Sequence, residues 1–300
     1  MDAGNLLFGT SRSGQLADQQ EKSELIAQVY GQMGYDAVAV GPYDLLAGID
    51  VIRKTAERGV PWVSANVKDE QGRLVCEPYR LVQVGALRIA VIGMTGSATE
   101  PDKTYTVDDD LQPLRPIISS LAGENDLILL LSSLSNEQNR EVARLFPDVA
   151  IIIQADPQQE ALPAQVHDRS LVVQPNNRGR YLGFLRVDWT GAPWGIAPEA
   201  ERVRLQERIA SLTHQLHRIS RQNDRSHQPV LEQKRQQVER LRVEAREALA
   251  HLEQQTTKDT IPLPSEYQSF FLPLDASTPE DPSIRDLLDT ADQLGVSSSP

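Results

Sequence analysis

Apolar positions in the first two-thirds of the chain switch between helical spacing and short unbroken runs. Within residues 20–34, Leu25, Ile26, Val29, Tyr30 and Met33 recur on one helical face, and Gly34 is placed as a C-terminal stop. Ala37-Val38-Ala39-Val40 then reads as a buried strand ending at Gly41-Pro42. Residues 49–58 predict a second helix closed by Gly59, and Pro61-Trp62-Val63-Ser64-Ala65-Asn66 a further strand. Residues 81–84 and 87–92 flank Gly85-Ala86, a hairpin signal. Helices are expected over 114–121 and 136–145, and strands over 126–131, 149–153, 171–173 and 181–187. Continuous apolar strands alternating with helices predict an α/β layer fold, its sheet covered by helices.

The pattern changes over residues 197–256. Leu205, Ile209, Leu212, Leu216 and Ile219 step by 4, 3, 4 and 3. After the polar stretch 223–229, Leu231, Val238, Leu241, Ala245, Ala248 and Leu252 resume the heptad register, interrupted by Lys234. Two heptad arms joined by a short polar turn predict an antiparallel helical hairpin, a coiled coil whose arms would each reach roughly 33 Å. Basic and acidic residues interleave on its outer faces, which is how a solvated hairpin reads; the sharper expectation is an arm that docks a partner or dimerises. Residues 257–300 form a return segment: Ile261-Pro262-Leu263-Pro264, the apolar stretch 270–274, a helix over 283–294 introduced by Asp281-Pro282, and a linker-like end over 295–300 that predicts a further domain beyond it. The expected organisation is thus an α/β domain over 1–195, a hairpin over 197–256 and a return segment over 257–300.

Composition narrows the function classes. With 42 acidic against 30 basic residues the 300-residue chain carries a net charge of −12, a poor footing for nucleic acid or an anionic membrane surface. No apolar run approaches the length of a bilayer span; residues 127–131 are the size of a core strand. Cys76 is the one cysteine, which rules out an intrachain disulfide and a cysteine-based metal site and reads as core filler. The opening residues 1–8 have no basic flank or cleavable apolar stretch, so no signal peptide is expected within this segment, and the chain reads as though it starts inside a motif. Four of the five histidines, His214, His217, His227 and His251, fall in or beside the hairpin; His214 and His217 are spaced i,i+3 but neither has a cysteine or carboxylate cluster nearby, and the fifth is His167. Ser11, Ser13 and Gly14 lack the lysine and glycine spacing of a phosphate cradle, and no nucleophile elbow is present.

Several fragments, weak singly, follow one another in a specific order. Asp2-Ala3-Gly4-Asn5-Leu6-Leu7-Phe8-Gly9 is similar to D-A-G-D-x-F-x-G, and Gly41-Pro42-Tyr43-Asp44-Leu45-Leu46-Ala47-Gly48 to G-N-H-E-x-D-x-G. Ser64-Ala65-Asn66 matches a strand ending in S-A-N, and Gly93-Met94-Thr95 one ending in G-x-T. Leu131-Ser132-Ser133-Leu134-Ser135 stands for L-S-H-x-G, and Ala150 to Gln158 for D-x-I-I-x-G-H-x-H. Over residues 1–190 and 268–294 the chain therefore resembles the calcineurin-like metallophosphoesterases, N-terminal domain of the 5′-nucleotidase type. The resemblance implies a layered β-sandwich flanked by helices, with the hairpin as an insertion.

It also implies, in active relatives, a two-metal centre that lowers the pKa of a bound water and clamps an in-line displacement. Here the bridging aspartate position is Asn5, the next asparagine and histidine are Pro42 and Tyr43, the third ligand is Ser133, and the last pair is Asp156 and Gln158. Every alignable ligand has changed, so no cofactor is expected. The alternative is an oxygen-only site for Mg²⁺ or Ca²⁺ built from Asp2, Asp36, Asp44 and Asp156, although Asp36 and Asp44 also read as ordinary turn aspartates.

Three functions compete. The first is a catalytically silent phosphoesterase-like scaffold whose hairpin serves a protein partner, a neighbouring domain or a second copy. The second is a divergent metal-dependent phosphohydrolase acting on nucleotides or other phosphomonoesters. The third is a small-molecule binding domain that keeps a nucleotide cleft without metals. Relatives of this type imply a periplasmic or extracellular setting.

Overall fold

The computed structural model describes residues 1–8, 16–46, 48–97, 104–108, 110–156, 161–175, 181–195, 198–221, 228–256, 263–275 and 278–293. The chain divides into one compact unit of Met1–Arg186 with Gln268–Pro300, and a second of Val187–Tyr267.

The first unit opens with α1 (Leu16–Gln32), β1 (Val38–Ala39), α2 (Ile49–Glu57) and β2 (Trp62–Val63), with β1 and β2 paired in parallel. β3 (Val67–Asp69) pairs antiparallel with β6 (Tyr105–Val107). The main sheet has six strands in the order β4-β5-β7-β8-β10-β9. These are β4 (Tyr79–Val84), β5 (Leu87–Met94), β7 (Leu127–Ser132), β8 (Val149–Gln154), β10 (Ser170–Gln174) and β9 (Leu162–His167). Neighbours among β5, β7, β8 and β10 run parallel, with β4 and β9 antiparallel at the two edges. Parallel neighbours need a crossover. α3 (Leu114–Leu121) supplies it between β5 and β7, and α4 (Asn136–Leu145) between β7 and β8.

All six residues of β7 are buried, as a strand with both faces covered requires. Ile92, Ile128, Leu130 and Ile152 pack with Leu114, Ile118 and Leu121 of α3 and with Val142 of α4. Burying each such side chain stabilises the fold by about 1.5–3 kcal/mol. A second core gathers Leu7, Phe8, Val38, Val40, Ile52, Trp62 and Val67, with Cys76 half-buried against it. The Trp62 indole N–H donates to Thr55 Oγ1 at 2.9 Å, so its one polar atom is satisfied inside that core. β11 (Tyr181–Asp188) and β12 (Glu266–Pro273) make a two-stranded sheet in which the Phe184 and Phe270 rings stack at 5.2 Å. The last described element of this unit is α7 (Pro282–Gln293), capped by Asp281, whose carboxylate accepts from the Ser283 and Ile284 backbone N–H.

Burial of Cys76, reinforced by the charge of Glu77, pushes its thiol up to about 12. The thiolate is the nucleophile. At pH 8 the native chain should therefore react with a disulfide reagent at least about a hundredfold more slowly than the urea-unfolded chain, whose cysteine titrates near its usual value of about 8.5. Stopped-flow labelling with Ellman's reagent checks this; equal rates would contradict the placement of Cys76 against the second core.

In the second unit, α5 (Pro198–Arg221) packs on α6 (Gln228–Thr256) through Leu212, Leu216 and Ile219 against Leu231, Val238 and Leu241. These are the positions singled out by the heptad spacing. Trp194 packs against Trp189 and edge-on against Tyr267, and its backbone bridges to Ser265.

Most elements fall where the apolar pattern puts them, with instructive exceptions. The strand expected over 61–66 stops at Val63, because Ser64 and Asn66 turn their side chains into a buried polar network. The strand expected over 37–40 is cut to Val38–Ala39, and α1 begins at Leu16 rather than residue 20. β3, β6, β9 and β12 lie outside the expected strands.

Candidate functional site

The motif positions converge at the C-terminal ends of the parallel strands, the usual ligand-facing edge of an α/β sheet. Three strand ends are tied side by side there: the Ser133 N–H donates to Met94 O at 3.0 Å, and the Ala155 N–H to Ser132 O at 2.7 Å. Gly96 lies so close to the β7 end that an added Cβ would stand 2.3 Å from Ser133 O. Its N–H donates to Ser133 Oγ at 2.9 Å. The preceding Thr95 donates through Oγ1 to Val40 O and exchanges hydrogen bonds with Ser64 and Asn66, so the S-A-N and G-x-T segments form one knot.

Backbone bonds of Asp2 with Ala37 and Ala39 hold the segment 1–8 beside β1, and the Asp44 carboxylate ties it to this edge. Asp44 is fully buried and accepts from three backbone N–H groups: Asn5 at 2.8 Å, Leu7 at 2.7 Å and Gly41 at 2.8 Å. Burial pushes its pKa up to about 6, against the pull of those three donors and with a further push from Asp2, leaving it chiefly ionised at neutral pH. Asn5 itself sits at φ 64°, a left-handed conformation that asparagine tolerates better than most residues. Its amide is used at both ends: Oδ1 accepts from the Tyr43 N–H at 3.1 Å, and Nδ2 donates to Ala155 O at 3.3 Å. One partner is a pure donor and the other a pure acceptor, so the amide orientation is fixed.

Asp156 is buried, and its Oδ2 accepts from the Asn136 N–H at 3.0 Å, at the first turn of α4. A carboxylate there answers both an orphan N–H and the positive end of the helix. The same helix has a full capping box between Ser135 and Gln138. Beneath Asp156 runs a chain of buried amides that no sequence motif singles out. Asn139 donates to Gln154, Gln154 to Gln174, and Gln174 to the Asp156 carbonyl. The signal available for it is a glutamine closing each of two apolar runs, Ile151–Ile153 and Leu171–Val173.

The structure thus brings Asn5, Tyr43, Ser133 and Asp156 to one edge through Ala155, Met94 and the strand ends, with Pro42 in the adjoining turn. Gln158 lies outside the described residues, as do Ser11, Ser13, Gly14 and His227. Of the aspartates, Asp2 accepts from the Gly4 N–H and the Tyr30 hydroxyl, Asp36 is exposed, and Asp44 is committed to backbone groups. Among the described residues no three His, Cys, Asp or Glu side chains are grouped so as to hold a metal ion.

These donors do not fit a pair of divalent cations. Hard and borderline cations want anionic oxygens and neutral imidazoles. The described ligand positions offer one carboxylate, one hydroxyl, an amide already hydrogen-bonded at both ends, a proline and a tyrosine. No catalytic step through a metal follows from such a set.

Among curated proteins, the chain is 24% identical over 199 residues to the 5′-nucleotidase of Bos taurus, covering 56% of this chain and 34% of that protein. It is 30% identical over 131 residues to the 5′-nucleotidase of Vibrio cholerae, covering 40% of this chain and 24% of that protein. The chain spans about a third or less of the length of these relatives. No family model matches. Among solved structures, a 5′-nucleotidase precursor from Thermus thermophilus superposes with a TM-score of 0.53 at 22% identity, over 63% of this chain and 42% of that one. In sequence and in fold the chain resembles the metallophosphoesterases of the 5′-nucleotidase type.

Proposed function

We propose that this chain is a catalytically silent 5′-nucleotidase-like domain that acts as a scaffold or interaction module. Its α5–α6 segment is an inserted antiparallel coiled-coil hairpin that meets a protein partner or a neighbouring domain. The observation that carries the reading is the use made of Asn5. Its Nδ2 donates to Ala155 O, a bond that the bridging carboxylate implied by the family resemblance could not make. The edge is built around an amide in that place, and an aspartate would set two acceptors against each other. Ser133 and Asp156 support the same reading, since each accepts from a backbone N–H. By resemblance the domain works in the periplasm or outside the cell.

A divergent phosphohydrolase is the second reading, favoured by Asp156, a carboxylate at an expected ligand position among the described residues. The two separate in a hydrolysis assay. Incubated with AMP or p-nitrophenyl phosphate in the presence of Mn²⁺, Zn²⁺, Mg²⁺ or Ca²⁺, the chain is expected to release phosphate at the rate of buffer alone. Turnover that is lost in Asp156→Asn would instead establish the second reading.

A further inference from the structure

β11 and β12 form a two-stranded ribbon that joins no other strand among the described residues. A ribbon of two strands holds its shape only when it packs on something. Its inner side does: a Cβ at Gly183 would meet Pro175 Cβ at 3.4 Å and Phe271 Cε1 at 3.7 Å. Side chains alternate between faces along a strand, so Leu182 and Phe184 share one face of β11, and Phe270 and Leu272 one face of β12. The stacked rings of Phe184 and Phe270 make these the same face of the ribbon. All four side chains are 43–46% exposed. A sheet with one solvated face normally turns polar residues outward. Here the outward positions are leucine and phenylalanine.

Charge and area together say what covers this face. Within residues 181–186 and 268–273 Arg186 is the only charged residue, on a chain of net charge −12, and three of the chain's five phenylalanines fall there. Depletion of charge with enrichment of aromatic rings marks the core of a protein interface. Such a face gives a charged partner nothing to pair with, but it is complementary to itself. Two copies related by a two-fold axis set leucine and phenylalanine against leucine and phenylalanine, with no like charges opposed in the core of the contact. Tyr181 and Leu274, at the ends of the two apolar runs, are exposed as well. Side chains of this size carry roughly 200 Å² each, so the six leave about 500 Å² of surface on each copy. Two copies would bury about 1,000 Å², the lower bound for a specific interface.

We propose that this chain forms a two-fold homodimer by stacking the β11–β12 face of one copy on that of another. The contact is separate from the α5–α6 hairpin and goes beyond the function proposed for it. Because the contact is apolar while each copy is acidic, salt strengthens it by screening the repulsion between copies.

Sedimentation velocity of the whole chain, from about 1 to about 100 μM, is expected to show a monomer–dimer equilibrium that moves towards dimer as salt is raised. Phe184→Lys and Phe184→Glu each set like charges against one another and should weaken dimerisation at least about tenfold. Both change an exposed side chain, so both should keep the parent's urea midpoint. Mixed in equal amounts, the two variants should regain a dimer, because the introduced charges are then opposite. A parent that stays monomeric throughout, or a mixture that regains no dimer, would overturn the proposal. Variants that dimerise as the parent does would overturn it too, and would move the contact to another surface such as the hairpin. A monomeric parent that floats with phosphatidylcholine vesicles, with binding lost in Phe184→Lys, would assign the face to a lipid surface instead. Mass is read without metal or substrate, so hydrolytic activity neither supports nor removes the dimer.

Discussion

Asp44→Ala is expected to destabilise the first unit by about 3 kcal/mol or more. The side chain is fully buried and accepts from the Asn5, Leu7 and Gly41 N–H groups, which sit on two chain segments about forty residues apart. Alanine removes both acceptor oxygens and leaves the three backbone donors without a partner. Each stranded donor costs about 1–3 kcal/mol. The pKa of about 6 shows that burial also penalises the carboxylate, which trims the net effect without reversing it. Urea unfolding at pH 7 followed by tryptophan fluorescence checks the value, since Trp62 stands in the same core. Asp44→Asn keeps one acceptor oxygen and should fall between the two. A loss under about 1 kcal/mol for alanine, the low end for one stranded donor, would mean that the segment carrying Asn5 is not held as described.

Gly41→Ala should cost nearly as much by a different route. A Cβ at that position would lie 2.3 Å from Asn5 N and 2.4 Å from Asn5 Oδ1, both already committed to hydrogen bonds. Overpacking in a tight core costs about 1–3 kcal/mol, and a rigid backbone neighbour places this case at the upper end. The expected result is a lower urea midpoint with an unchanged slope. Because the Gly41 N–H also binds Asp44, the two substitutions share a partner, and the double variant should lose less than the sum.

The frame of the fold was legible because its central strands are unbroken apolar runs. Residues 127–131 and 149–153 can satisfy their hydrophobicity only with both faces covered, and they form the middle of the main sheet. The short strands β3 and β6 escaped for the converse reason: Val67-Lys68-Asp69 and Tyr105-Thr106-Val107 each place a polar residue in the middle, and their pairing is set by long-range contact rather than pattern. The candidate site divides in the same way. The expectation that metal-binding side chains are replaced comes from residue types alone, at Asn5, Pro42, Tyr43 and Ser133. What those residues do instead could not. Asp44 reads locally as a turn aspartate, and it does accept from Gly41 three residues away, but its larger role is to hold Asn5 and Leu7. No spacing rule announces a bond across 39 positions. The helical arms were legible position by position.

The silent-domain proposal requires a strand-end edge that is satisfied within the protein and holds no metal centre. The most direct measurement is metal content by inductively coupled plasma mass spectrometry, after incubation with Mn²⁺, Zn²⁺, Mg²⁺ and Ca²⁺ and desalting. No ion should be retained near one per chain, and Asp156→Asn should give the same reading. Two transition-metal ions per chain in the parent, lost in Asp156→Asn, would contradict it.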